Sequence, residues 1–248
     1  MIGRPLFVVA ALAVSLSAPV LAQNAPAYVT AAVADAKRPP ADTMRDGDRK
    51  PAETAAFSTV KPGQKVLELI AGGGYYTRII SKIVGATGHV YSTVPEGMVA
   101  MRGMAADGMK AIAADPAYPN VTVLVQPTGM PAAPEKVDVV WTTLNYHDLH
   151  NPGPFGAGDI NGFNKEVFNA LKPGGVFFVV DHASQKGKGT TETGTLHRIE
   201  PDAAKTEILK AGFAFVGESK ALNRPNDDYT AHSTDKDDQF IFLFRKPG

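Results

Sequence analysis

The sequence predicts an α/β fold with a mostly parallel, seven-stranded sheet. From residue 65 to residue 211, short apolar runs alternate with segments of helical periodicity, the pattern of repeated βαβ units. The runs are apolar almost throughout, as at residues 175–180, and strands buried on both faces have that composition. Two more apolar runs near the C-terminus are separated by a loop alone. They predict an antiparallel hairpin at the sheet edge.

The individual elements follow from the hydrophobic period along the chain. Strands are expected at residues 65–70, 89–93, 121–125, 137–142 and 176–181, and the terminal hairpin at residues 213–219 and 239–245. Helices are expected at residues 75–84, 96–114, 161–171 and 201–211. The last of these has Pro201 at its first position and closes at Gly212, as helix-boundary preferences favour.

The N-terminus has the composition of a cleavable signal peptide at residues 1–22. A short basic start precedes an apolar run, and small or apolar residues then lead to Gln23. The run at residues 6–20 is shorter than the ~20 residues that span a bilayer, so a membrane anchor is the less favoured alternative. The chain has no cysteine, and therefore no lipid-attachment site and no disulfides. We expect an exported, periplasmic protein with no stable membrane anchor after cleavage.

The rest of the chain divides into two segments. Residues 23–60 are rich in alanine and proline and predict a linker with a short helical lead-in, whose charged stretch at 46–53 is interpreted as a solvated surface. Residues 61–248 form the main domain. The formal net charge is zero and there is no arginine-rich run, so the sequence shows no electrostatic footprint for nucleic acid. We expect a small-molecule substrate.

A glycine cluster directly after the first strand is the most informative motif. The strand ends near Glu68, and Gly72, Gly73 and Gly74 lead into the first helix of the domain. A strand–tight turn–helix unit presents backbone N–H groups and a helix N-terminus to a ligand. Glycines are required there because a Cβ would block the ligand. The spacing fits neither a P-loop nor the G-x-G-x-x-G fingerprint.

Three features together give the chain a specific resemblance. They are Glu68-x-x-x-Gly72-x-Gly74, the Lys-Pro-Gly-Gly turn at residues 172–175, and the terminal hairpin. The chain resembles the class I S-adenosylmethionine-dependent methyltransferases, which have a Rossmann-like sheet with a reversed seventh strand. Within them, Gly-Gly-Gly-Tyr-Tyr-Thr, Asn-Tyr-His-Asp and Leu-His-Arg-Ile resemble a group of bacterial predicted methyltransferases with exported members. The resemblance implies S-adenosyl-L-methionine as cofactor and methyl transfer as activity.

The resemblance also implies a set of cofactor-binding residues, which are Glu68, Ala71, Gly72, Gly73, Gly74 and Tyr76. The chain departs from the superfamily pattern in three places, and at one of them, residues 126–128, no carboxylate is present where strand three often supplies an aspartate to the adenine. Ile70 stands where the first glycine is usual, and Val94 stands where an acidic residue binds the ribose hydroxyls. Glu96, two residues further on, takes over the ribose contact if the loop bends back.

A polar segment follows the fourth strand, where the superfamily places catalytic or substrate contacts. It begins with Asn145, Tyr146, His147 and Asp148, which we predict to be catalytic. His147 is the predicted general base, because an unperturbed imidazole has a pKa near 6.5, and Asp148 is predicted to orient it.

A second polar group comes after the fifth strand, with His182, His197 and Arg198 as predicted substrate contacts. Arg198 pairs either with an anionic substrate or with Asp181. Three histidines and a carboxylate can hold a divalent metal, but the spacing matches no local metal motif, so we predict an acid–base or substrate-binding cluster with no metal ligands. Two alternatives to the methyltransferase stay open. One is a non-catalytic ligand-binding protein in the same fold, and the other is a metal-dependent enzyme using these histidines.

Overall fold

The computed structural model describes residues 25–232 and 234–248. It contains one sheet whose strands lie in the order β3-β2-β1-β4-β5-β7-β6, with β7 antiparallel to both of its neighbours. The strands are Lys65–Leu69 (β1), His89–Pro95 (β2), Val121–Gln126 (β3), Val137–Thr143 (β4), Leu171–His182 (β5), Ala214–Ser219 (β6) and Gln239–Arg245 (β7). The predicted sheet and its antiparallel terminal hairpin are confirmed.

Helices cover both faces of this sheet. They are Ala27–Val33 (α1), Pro40–Thr43 (α2), Asp46–Arg49 (α3), Pro51–Phe57 (α4), Tyr75–Val84 (α5), Glu96–Arg102 (α6), Asp107–Ala114 (α7), Ile160–Ala170 (α8) and Pro201–Lys210 (α9), with 3-10 turns at His147–His150 and Thr234–Lys236. One hydrophobic core includes residues of α1, α4, α5 and α7, and a second includes residues of α8 and α9. The parallel strands are therefore apolar on both faces.

Glycines set both ends of α5, the helix that follows the glycine turn. Gly74 precedes it with φ +78° and Gly85 ends it with φ +66°, conformations that glycine adopts without the steric cost of a Cβ. Between them, Ile79, Ile80 and Ile83 face the core and are fully buried. The apolar spacing anchors α5 against the sheet, and this fixes the position of the turn before it.

Two predicted elements differ from the structure. The helix expected at residues 96–114 is broken into α6 and α7, because Gly103 adopts φ +51° and ends the first of them. The fifth strand begins at Leu171 rather than at Val176. Its pairing with β4 steps from Val137–Leu171 to Val139–Val176, so the Lys-Pro-Gly-Gly turn is an irregularity within the strand.

The helical lead-in, α1 to α4, packs against the main domain. Val29 and Ala55 are fully buried in the core that contains α5. The Arg38 guanidinium donates to both carboxylate oxygens of Asp46, at 2.8 and 2.6 Å. Arg49 Nε donates to Asp235 Oδ1 at 2.7 Å. The charged stretch at residues 46–53 is therefore half-buried at several positions, and its interpretation as a solvated surface is wrong there.

In the part of the chain that the structure describes, no helix is both long enough and apolar enough to cross a bilayer. The predicted signal peptide at residues 1–22 lies outside the described residues. Its cleavage and the domain boundaries drawn at residues 22 and 60 stay predictions.

Candidate active site

A cavity of about 270 Å³ lies at the carboxyl ends of β1, β4 and β5. In open α/β sheets, ligands bind outside this edge. The glycine turn lines one part of the cavity, and residues that follow β4 and β5 line another. The lead-in contributes Asp42, Arg45 and Arg49. The cavity thus joins the predicted cofactor turn to the predicted catalytic cluster.

Gly72 and Gly73 are exposed at this cavity. A Cβ built on either residue would meet no atom within 4 Å. Neither backbone N–H donates a hydrogen bond to any residue in the described part of the chain. Gly74 differs, because it is buried and a Cβ there would clash with the Ile112 side chain. Gly74 therefore serves packing, while Gly72 and Gly73 leave backbone donors open to a ligand.

Glu68 lies at the end of β1 and is 4% exposed. Its Oε2 accepts hydrogen bonds from Thr77 Oγ1 at 2.5 Å and from Ser92 Oγ at 2.9 Å. Burial removes water from the carboxylate and raises the pKa of Glu68 to about 7, although these two hydroxyl groups oppose the rise. Near neutral pH this side chain is therefore partly protonated.

The other predicted cofactor residues divide into two groups. Ala71 and Tyr76 line the cavity, and the Tyr76 ring lies 5.1 Å from the Trp141 ring, centroid to centroid. Glu96 does not line it, because it begins α6 and is exposed to solvent. Val94 is buried in the core beside α5. The predicted ribose contact of Glu96 therefore has no support from its placement.

Ile70 has a backbone conformation that is unusual for a β-branched residue. Its φ is +51°, which glycine adopts readily and isoleucine does not. The residue borders both the main cavity and a pocket of about 10 Å³ that Thr93 and Gln126 also line. Ile70 and Leu69 thus border both the cavity and the pocket at the ends of β2 and β3, where the superfamily pattern places the nucleoside of the cofactor.

Four histidines line the cavity opposite the glycine turn. The ring centroids of His147 lie 5.7 Å from His182 and 5.4 Å from His197. The ring of His232 lies 4.9 Å from His182 and 5.1 Å from His197. The structure thus brings His147, His182 and His197 together as predicted, and adds His232.

His147 is buried between two carboxylates. Its Nδ1 lies 2.8 Å from Asp181 Oδ1, and its Nε2 lies 3.3 Å from Asp148 Oδ1. Burial alone would lower the pKa of His147, but the charges of Asp181 and Asp148 and their hydrogen bonds raise it to about 10. The ring is therefore protonated at neutral pH in the protein alone, a state that does not favour the predicted role of general base.

Asn145 lines the cavity, whereas Tyr146 is buried in the core. The Asn145 amide lines the cavity and donates to the carbonyl oxygens of Ile70, at 3.2 Å, and Thr143, at 2.6 Å. Tyr146 is fully buried in the core that contains α8, where Asn164 Nδ2 donates to its hydroxyl at 2.8 Å. Tyr146 does not line the cavity, so its predicted catalytic role is inconsistent with its placement.

Arg198 forms a buried ion-pair network. It is 1% exposed, and its guanidinium contacts Asp227 at 2.8 Å and Asp237 at 3.0 Å. It does not line the main cavity. Asp181, one of the two predicted partners, contacts His147, and the buried guanidinium lies outside the cavity in which a substrate would bind. The placement supports a structural role.

The sequence analysis missed several cavity residues. His232 belongs to the loop before β7, and because β7 is antiparallel, this loop lies where the parallel strands end. The predicted antiparallel hairpin already implied that the loop before its last strand lies at this edge, so His232 could have been predicted. Arg45 and Arg49 reach the site through ion pairs with Asp235, nearly 190 positions later in the chain. No local sequence pattern predicts an ion pair between residues so far apart in the chain.

No protein-family model matches the chain. A 64-residue stretch is 39% identical to protein-L-isoaspartate O-methyltransferase of Methanosarcina mazei and covers 26% of this chain. It covers 24% of that enzyme, so the match spans about a quarter of the relative's length.

Similarity to solved structures extends over most of the chain. A SAM-dependent methyltransferase from Aquifex aeolicus superimposes with a TM-score of 0.54 at 19% identity, over 84% of this chain and 93% of that one. A glycopeptide N-methyltransferase solved with S-adenosyl-L-methionine gives 0.55 at 16% identity, over 82% and 87%. With the strand order and the reversed β7, these similarities show that the chain has the class I S-adenosylmethionine-dependent methyltransferase fold.

Proposed function

We propose that the protein binds S-adenosyl-L-methionine in this cavity and transfers its methyl group to a small-molecule acceptor. The observation that carries the proposal is the continuity of the cavity, which extends from the glycine turn after β1 to the polar residues after β4 and β5. The bound cofactor would supply an electrophilic methyl group. The protein's main contribution is then to align an acceptor with that group and to exclude water.

The residues of the cavity fit the amino-acid part of the cofactor. The open N–H groups of Gly72 and Gly73, next to the start of α5, suit a carboxylate. The fit is poorer for the nucleoside, because among the described residues no carboxylate lines the small pocket beside Thr93 and Gln126. We therefore expect weak binding, with a dissociation constant of roughly 0.01–1 mM.

The histidine end of the cavity supplies groups that position an acceptor. Burial and the nearby positive groups lower the pKa of His182 to about 2, so this ring is neutral. It can accept a hydrogen bond from an acceptor hydroxyl or amine. Both nitrogens of the protonated His147 ring face carboxylates, so this ring contributes positive charge rather than a free donor. A small polar acceptor thus finds a hydrogen-bond acceptor next to a charged group within one cluster.

Calorimetric titration of the purified protein with S-adenosyl-L-methionine tests the proposal. We expect saturable binding by the native protein. Gly73→Ala is expected to weaken it by at least about tenfold, since the added methyl group enters the space that the ligand needs.

Gly108→Ala is the matched control for Gly73→Ala. A Cβ at Gly108 in α7 also meets no atom within 4 Å, and the residue does not line the cavity, so binding should be unchanged. Absence of binding to the native protein up to millimolar ligand contradicts the proposed function. Equal affinity of Gly73→Ala and the native protein contradicts the assignment of the turn.

Ile70→Gly is expected to tighten cofactor binding by roughly tenfold, because it removes a side chain that borders both the cavity and the nucleoside pocket. Glycine also suits the φ of +51° at this position. Leu144→Gly is the control, since Leu144 has φ +59° and lines the cavity but does not border the pocket. If a folded Ile70→Gly variant binds no more tightly than Leu144→Gly, Ile70 is not the obstacle.

A further inference from the structure

Two histidines and an aspartate in the cavity wall have the geometry of metal ligands. Asp148 Oδ1 lies 3.3 Å from His147 Nε2 and 3.3 Å from His197 Nδ1. All three ligand atoms lie within 4.8 Å of one another. Zinc bonds to nitrogen and oxygen measure about 2.0–2.1 Å, so neighbouring ligand atoms of a tetrahedral site lie about 3.3 Å apart. We propose that His147, Asp148 and His197 bind a divalent transition metal of the zinc class.

A buried carboxylate orients the first of these ligands. Asp181 is fully buried, and its Oδ1 lies 2.8 Å from His147 Nδ1 while its Oδ2 accepts the His147 backbone N–H at 2.6 Å. This contact holds the ring with Nε2 directed at Asp148. A carboxylate behind a histidine ligand is a recurrent feature of protein metal sites, because it fixes the ring and increases its basicity.

The three ligands leave an open coordination position on the cavity side. All three residues line the cavity, and the His197 side chain is 46% exposed. Three protein ligands with one position for water or substrate is the arrangement of catalytic zinc sites. The nitrogen and oxygen donors favour zinc, cobalt or nickel over calcium and magnesium, which prefer oxygen ligands alone.

His182 beside this site belongs to a second group of possible metal ligands, with His232 and Asp237. The residue is 1% exposed and lines the cavity, yet its Nδ1 has no hydrogen-bond partner among the described residues. Nδ1 lies 3.3 Å from Asp237 Oδ2 without hydrogen-bond geometry. A buried polar atom without a partner is costly. Because this atom lies beside Asp237, the variant His182→Ala tests the second group separately from the proposed ligands.

The inference goes beyond the proposed methyl transfer and does not rest on it, because every ligand belongs to this chain. Water bound to a zinc ion with an open position loses its proton near pH 7, so a metal here would supply a metal-bound hydroxide beside the cavity. In the proposed methyl transfer, the acceptor class that suits such a site is a small molecule with a hydroxyl group.

Zinc titration of the chelator-treated protein by calorimetry tests the site, together with visible absorption spectra of the cobalt-loaded protein. We expect one equivalent of zinc per chain and a cobalt spectrum of tetrahedral type. His197→Ala and Asp148→Asn are expected to weaken zinc binding by at least about tenfold. The half-exposed position of His197 makes that variant tolerable to the fold.

His150→Ala is the matched control. His150 belongs to the same 3-10 turn as His147, but its Nε2 lies 3.0 Å from Glu207 Oε2 and it does not line the cavity. Its substitution should leave zinc binding unchanged.

Substoichiometric zinc in the native protein overturns the inference, as does native affinity in His197→Ala. Zinc loss in His182→Ala but not in His197→Ala assigns the metal to other ligands. Because these titrations contain no S-adenosyl-L-methionine, their outcome is independent of the cofactor experiment.

Discussion

Asp181→Ala is expected to lower the free energy of unfolding by about 3–5 kcal/mol, the usual cost of leaving a buried charge without its partner. The Asp181 carboxylate is fully buried and accepts the backbone N–H groups of His147 and His182, at 2.6 and 2.8 Å. It also contacts the His147 ring at 2.8 Å. Alanine removes all three contacts, so two buried backbone amides lose this acceptor and the buried His147 ring keeps only Asp148, at 3.3 Å, as a carboxylate partner.

Urea unfolding of the native protein and the variant measures this loss. Asp115→Ala is the control, because Asp115 is exposed and its carboxylate accepts a single backbone hydrogen bond, from Ala117 at 2.8 Å. We expect that variant to lose about 1 kcal/mol or less. If both variants lose the same amount, Asp181 does not stabilise the fold through this network.

The second large effect concerns the pH dependence of stability. The pKa of the Glu68 carboxyl is raised from an ordinary value of 4.5 to about 7 in the folded protein. The folded state therefore binds this proton more tightly than the unfolded state does. The stabilisation is complete below about pH 4.5 and is lost as the pH rises through about 7, by about 3 kcal/mol in total.

Glu68→Gln removes this titration while keeping the size of the side chain and a hydrogen-bonding amide. Relative to the native protein, the variant should gain about 3 kcal/mol in unfolding free energy between pH 4.5 and pH 8. Denaturant curves of both proteins at a series of pH values measure the difference, in which the other titrating groups largely cancel. Glu96→Gln, at an exposed position, should show no such trend. A constant difference between Glu68→Gln and the native protein contradicts the prediction.

Much of the fold could be predicted because its determinants are local. Continuous apolar runs predicted strands buried on both faces, and the spacing of Ile79, Ile80 and Ile83 predicted α5 with the ends that the structure has. The prediction of one continuous helix at residues 96–114 was wrong, because hydrophobic periodicity carries no information about the backbone conformation of a single residue. Apolar spacing continues across Gly103, but the backbone there adopts φ +51° and ends α6.

The candidate site was predicted in part, at the level of segments rather than of side-chain directions. The carboxyl ends of the parallel strands lie at one edge of the sheet, so His147, Asp148, His182 and His197 were expected together and are found together. Which way a side chain points in a turn depends on the packing around it. Tyr146 faces the core beside α8, although its neighbours Asn145 and His147 both line the cavity.

The sequence by itself determined the seven strands and their mostly parallel arrangement, the open glycine turn and the edge at which the polar segments meet, because these depend on local pattern and on the rules of α/β topology. The tertiary structure decided the protonation states of the titratable side chains at that edge. The raised pKa values of Glu68 and His147 depend on burial and on partners elsewhere in the chain. It also decided that His232 and Arg49 join the cavity, since contacts between distant segments depend on the packing of the whole fold.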